Sequence, residues 1–195
     1  LGTVEDYSCF AGGIEIATNI SLRVDDVLKG DMEAGEHITV RKPGGAVTVE
    51  EYLQSMEDAG ITYWNAEELK ADYSEEERRE NYIQISFCDL DPVIGQKSLY
   101  FLEKDAEKEL YYRLCDGFGQ YVETASGEYV NAYEIADEKR NADEPMMLAL
   151  GETVEFDPDA APEERINIYT MDEIKEGMET YTAVSYTHLR AHETR

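Results

Sequence analysis

The sequence predicts a mainly β protein. It is a largely antiparallel, Greek-key-like set of short strands closing as a small barrel, with a helical insertion and a C-terminal helix. Three observations carry this. Apolar and polar residues alternate over short stretches bounded by Gly, Pro and Asp, which is the period of half-buried strands. Most connections between those stretches are turns, which join antiparallel neighbours. One connection, at about residues 48–80, is long enough to hold helices and shows the 3.6-residue period instead. With 195 residues the chain can bury one sizeable core. The expected division is a barrel over 1–135, interrupted by the insertion, and an extension over 136–183 that packs on it.

The first strand is expected over Thr3–Phe10, with Gly12 and Gly13 in the connection. In "IEIATNISLRV", Ile14, Ile16, Thr18, Ile20, Leu22 and Val24 share one face, and Glu15, Asn19, Ser21 and Arg23 the other. Asp25 and Asp26 break the phase and predict a β-bulge, and "LKGD" reads as a turn. "HITVR" is a strand with Ile38 and Val40 inward, ended by "KPGG", whose proline and glycines supply turn geometry.

Helical spacing then takes over. "TVEEYLQSMEDAG" opens with a capping box, Thr48 and Glu51, and closes at Gly60. Its apolar stripe is Val49, Tyr52, Leu53 and Met56, so the insertion should lie on the barrel by one face. "NAEELKADY" predicts a second helix with Asn65 as N-cap and Leu69 and Tyr73 inward. "SEEERREN" fits either a short helix or a solvated loop.

Strands return at "YIQISFC", with Ile83, Ile85 and Phe87 on one face, then at "SLYFLEKD" and "ELYYRLC". "QYVET" and "EYVNAY" form a hairpin around Ala125, Ser126 and Gly127, the glycine suiting a left-handed position. "RINIY" adds a strand, and "TMDEIKEGM" a helix capped by Thr170 and Glu173.

The stretch "ISLRVDDVLKGDMEAGEHITVRKPGG" resembles a pattern in uncharacterised exported or lipid-anchored proteins of Gram-positive bacteria. There an alternating strand runs into a VLKG turn, followed by G-x-x-I-x-V-x-x-x-G-G. A later strand ends in an "FL" pair after a glycine, here Gly95 to Leu102, and a hairpin like "YYRLCDGFGQYV" follows. The resemblance spans roughly residues 2–133 without the insertion, and Ser98 departs from it, standing where an aromatic is usual. It implies an OB-like barrel and an extracellular or cell-envelope setting, the alternative being the cytoplasm. It carries over no catalytic residue.

Lys and Arg total 17 against 44 Asp and Glu, a net charge of −27. Such a surface repels nucleic-acid phosphates and anionic lipid and attracts cations or basic partners. No apolar run is long enough for a membrane span. Cys9, Cys88 and Cys115 show no CxxC spacing, so zinc is not expected, and at most one bridge can form among three. The pairs Asp89/Asp91 and Asp157/Asp159 hold oxygen ligands of the kind calcium takes, but neither continues into an EF-hand loop, and both read as turn residues. His37 flanks a strand and points away from Ile38 and Val40, a surface position. No metal and no cofactor are expected.

The closing residues 184–195, "VSYTHLRAHETR", back-translate in one continuous frame to a string resembling a sequencing-library adapter. They are expected to be an artefactual tail, so His188 and His192 are not read as a metal pair.

Two function classes remain. The first is a non-enzymatic binding module, secreted or at the cell envelope, for a protein, peptide or glycan. The second is a hydrolase with a carboxylate pair, which spacing alone does not single out. For the first, a hairpin turn at Ala125–Gly127 pairs Glu123 with Tyr129 and Tyr121 with Asn131. Tyr121, Glu123, Tyr129, Asn131 and Tyr133 then form the candidate binding face, with Val122 and Val130 on the core side. The plainer expectation is that these rings simply cover the barrel or pack against the C-terminal segment 136–183.

Overall fold

The computed structural model describes residues 1–62, 64–85, 90–135 and 167–179. Phe87, Cys88, Asp89, Asp157, Asp159, His188, His192, the first residues of "RINIY" and the tail 184–195 lie outside the described residues. The protein is mainly β, with a nine-stranded mixed sheet, a two-stranded sheet and short helices.

Strands β1 (Gly2–Gly12) and β2 (Glu15–Val24) form a long hairpin, in register from Gly2↔Val24 to Gly12↔Glu15. Alternation on β2 buries Ile16, Thr18, Ile20, Leu22 and Val24. Ile14 is an exception to the expected face: it sits in the turn before β2 and is 40% exposed. The expected bulge at Asp25 and Asp26 is also corrected. The register slips on β1, between Val4 and Asp6, while β2 ends at Val24. Asp25 then accepts hydrogen bonds from Thr3 Oγ1 and Arg23 Nε, so it ties down the strand end instead of bulging within it.

Strand β3 (His37–Pro43) pairs antiparallel with β2, and Val40 is fully buried. Gly44 has a positive φ of 82°, and Gly45 is required by close approach. At Gly45 (φ 139°) a Cβ would lie 2.5 Å from Thr18 Oγ1 and 2.8 Å from Cys9 Sγ. Strand β4 (Gly45–Thr48) leads into α1 (Val49–Asp58), which carries the Thr48/Glu51 capping box. Helices α2 (Trp64–Asp72) and α3 (Glu75–Glu80) follow, and β5 (Tyr82–Ile85) returns to pair with β4. The α2 start corrects the expected cap: the helix begins at Trp64, so Asn65 is already inside it. "SEEERREN" is helical because Ser74 and Glu77 form a second capping box. Tyr52, Leu53 and Met56 of α1 bury against Ile16, Val47 and Ala66, with Leu69, Tyr73, Ile83 and Ile85 around them.

The expected single strand "SLYFLEKD" is two, β6 (Lys97–Tyr100) and β7 (Leu102–Asp105), broken at Phe101. Strand β8 (Leu110–Arg113) follows, then β9 (Gln120–Glu123), β10 (Tyr129–Asn131), β11 (Ile168–Tyr169) and a helix over 171–179. The main sheet runs β11-β10-β9-β6-β1-β2-β3-β8-β7, and its pairs are antiparallel except β3 with β8. Val4, Ile20, Leu22 and Val40 form its buried centre, joined by Ile38, Tyr100, Leu102 and Tyr111. Gly119 lies so close to Leu114 that a Cβ would overlap the Leu114 carbonyl, which fixes "DGFG" as a structural turn.

Candidate functional site

A cleft of about 690 Å³ opens where the sheet rim meets the C-terminal helix. Three parts of the chain build its walls. Leu22, Val24 and Ile38 come from β2 and β3, and Val27, Leu28, Lys29 and Met32 from the connection between them. Leu99, Phe101 and Leu102 come from the β6–β7 bend. The third wall is Tyr169 with Glu173, Ile174, Gly177 and Met178. Residues 173, 174, 177 and 178 recur at helical spacing, so one face of the helix addresses the cleft. The Thr170/Glu173 capping box fixes where that helix starts, with Glu173 Oε2 accepting from Thr170 N at 2.7 Å.

The lining is predominantly apolar, and its two carboxylates already have structural roles. Glu173 caps its helix, and Asp26 Oδ1 accepts from Val27 N at 2.8 Å. Hydrogen bonds from Thr170 hold the Glu173 carboxyl below the usual carboxylate range, so it is a charged cap and not a proton donor. Tyr100, which also reaches the cleft, is the reverse case: burial pushes its hydroxyl up to about 12. It accepts from Gln120 Nε2 at 3.5 Å in a buried network that includes Ser98 and Arg113. These groups position the wall, and none is poised to exchange a proton near neutrality.

The hairpin register expected from sequence holds: Tyr129 pairs with Glu123, Asn131 with Tyr121, and Val122 and Val130 bury together on the other side. The five candidate residues do not form one open face. Tyr129 is 4% exposed beneath Ile174, and Asn131 is buried, its Nδ2 donating to Phe118 O at 3.0 Å. Burial and the nearby Glu123 charge raise the Tyr129 hydroxyl, which donates to Glu123 Oε1 at 3.4 Å. Tyr133 departs from the expected alternation because β10 ends at Asn131; its ring stacks on Phe118 with centroids 3.9 Å apart. Tyr121 alone of the five lines the cleft, edge-on to Phe101 and Tyr169.

The cleft residues missed from sequence had a signal. Val27, Leu28 and Met32 resume apolar character after the strand phase breaks, and Ile174 and Met178 are four apart on a helix. What no local pattern states is that these two runs face each other.

Elsewhere, His37 is exposed with Nε2 3.1 Å from Glu5 Oε2, as its strand-flanking place suggested. Asp91 lies 3.5 Å from the buried Lys42 ammonium. Cys9 and Cys115 are free thiols. Among the described residues no group of three or more His, Cys, Asp or Glu is placed to hold a metal, and no helix is long and apolar enough to cross a membrane. No family model, curated protein or solved structure matches the chain.

Proposed function

We propose that the protein is a non-enzymatic binding module, secreted or held at the cell envelope, that seats an apolar segment of a peptide or protein partner in this cleft. The observation that carries the reading is the cleft itself: its volume lies in the range of small-molecule and side-chain pockets, and its lining is apolar with few polar groups. The surrounding charge of −27 would steer basic, amphipathic partners toward it.

The same reading includes an OB-like barrel. Only Phe101 separates β6 from β7, yet β6 pairs with β1 and β7 with β8, which itself lies parallel to β3. A strand bent at Phe101 thus joins both sides of the β1–β2–β3 meander, the strand order of a five-stranded closed barrel. The buried cluster draws on β1, β2, β3, β6, β7 and β8, as a barrel interior would. The cleft then lies at the barrel mouth, a common place for ligands.

The test is capture of a neutral apolar dye, Nile red, and of a Leu/Lys amphipathic peptide by the full chain and by a Gly177→Phe variant. Binding by the parent and loss in the variant support the reading. Equal binding by both, or none by either, overturns it.

A further inference from the structure

The outer face of the sheet, away from the cleft, holds an arginine in an unusual setting. Side-chain alternation puts Arg41 beside Asn19, its antiparallel partner, and beside Tyr112, its parallel partner, on the side opposite the buried Val40 and Ile20 and the partly buried Tyr111. Arg41 Nε donates to Asn19 Oδ1 at 2.9 Å, and the guanidinium carbon stands 4.7 Å over the Phe10 ring. Both partners are neutral. In a chain with 44 carboxylates, this guanidinium has no carboxylate within ion-pairing distance among the described residues. Two fixed contacts hold the fork in place, so little side-chain entropy remains to be lost when a further partner binds.

We propose that this face binds a sugar bearing an isolated carboxylate, with the Arg41 fork as the carboxylate receptor. The chemistry fits in three ways. With Nε engaged by Asn19, the terminal N–H groups of the guanidinium can donate two parallel hydrogen bonds to a carboxylate. The same rows of the sheet place Ser21 and Thr39 directly opposite each other, next to Asn19 and Arg41, and their hydroxyl and amide groups match sugar hydroxyls. Tyr112 contributes a partly buried ring whose exposed edge can cover the apolar side of a sugar. The net charge narrows the choice further. Two carboxylates flank the same rows, Asp6 opposite Ser21 and Glu103 opposite Tyr112. A polyanion would meet these carboxylates as well, whereas a sugar whose one carboxylate sits on Arg41 presents only neutral hydroxyls to them. The site is separate from the cleft and does not depend on it.

The experiment is a titration of the ¹⁵N-labelled full chain with an oligosaccharide ending in one glucuronate, followed at the Arg41 Nε–H and Asn19 side-chain amide signals. Saturable shifts at both are expected. The glucuronate methyl ester, and the Arg41→Gln variant, should bind roughly tenfold or more weakly, as loss of a bidentate charged contact requires. Arg41→Lys keeps the charge without the fork and should fall between; it also checks the outcome if Arg41→Gln disturbs the fold. The proposal is overturned if neither signal moves. It is equally overturned if the ester binds as well as the acid, or if acetate or a peptide carboxylate saturates the site as readily as the sugar.

Discussion

Gly177 offers a direct measurement of whether the cleft is open. It lies inside the helix over 171–179, without a positive φ, and lines the cleft one turn beyond Glu173 and Ile174. A Cβ built there meets nothing within 4 Å. Replacement by Ala should therefore stabilise the fold by about 0.5–1 kcal/mol, since glycine costs that much in a helix interior. For a chain of this size each kcal/mol is worth roughly 2–4 °C, so Tm should rise by about 1–4 °C. Gly177→Phe adds a ring that can cover apolar wall, and its Tm should be no lower than the parent's. The two variants should part in dye binding. Ala should leave Nile red affinity within about threefold, whereas Phe should weaken it by roughly tenfold or more, equivalent to about 1.4 kcal/mol. Thermal denaturation and fluorescence titration on the same samples give both readouts. A Phe variant that loses several degrees would show that the space is filled. One that keeps its Tm and still binds dye like the parent would show that the cleft is not the seat.

Three further outcomes follow from packing and titration. Leu22→Ala should cost about 2–5 kcal/mol in urea unfolding, because Leu22 is 1% exposed at the sheet centre, whereas Ile14→Ala, in the exposed turn, should cost under about 0.5 kcal/mol; similar losses would mean that the β2 face is misassigned. Partial burial raises the Asp25 carboxyl, but hydrogen bonds from Thr3 and Arg23 outweigh it and leave it below its ordinary value of 3.8. Its contribution is thus whole above that value and lost as pH falls through the lowered one, so Asp25→Asn should destabilise at pH 7 and converge with the parent in acid. Tyr100 is raised from 10 to about 12 by burial, so the stability linked to it is whole below pH 10 and falls between those values. Tyr100→Phe should flatten that alkaline slope, and an unchanged slope would place the cause elsewhere.

Local chemistry in the sequence determined much of the secondary structure. Alternation from Ile16 to Val24, the capping boxes at Thr48 and Thr170, and the hairpin register around Gly127 depend on neighbours a few residues away, and all are found. Where local signals conflicted, tertiary contacts chose. Asp25 looked like a bulge but ends its strand as an acceptor for Thr3, 22 residues away. "SLYFLEKD" reads as one strand, yet it breaks at Phe101, and its halves pair with β1 and β8 on different sides. Tyr121, Tyr129 and Asn131 were legible as one row of the hairpin; which of them stays accessible was not. That is set by Ile174 and Met178, more than 40 residues on, whose helix covers Tyr129 and leaves Tyr121 at the edge of the cleft. Arg41 shows the same division. Its place on the outer face follows from a two-residue period, but a guanidinium with only neutral partners depends on Phe10 and Asn19 arriving from other strands. A periodic pattern fixes which way a side chain points from its own element, and only the packing of distant elements decides what, if anything, it meets there.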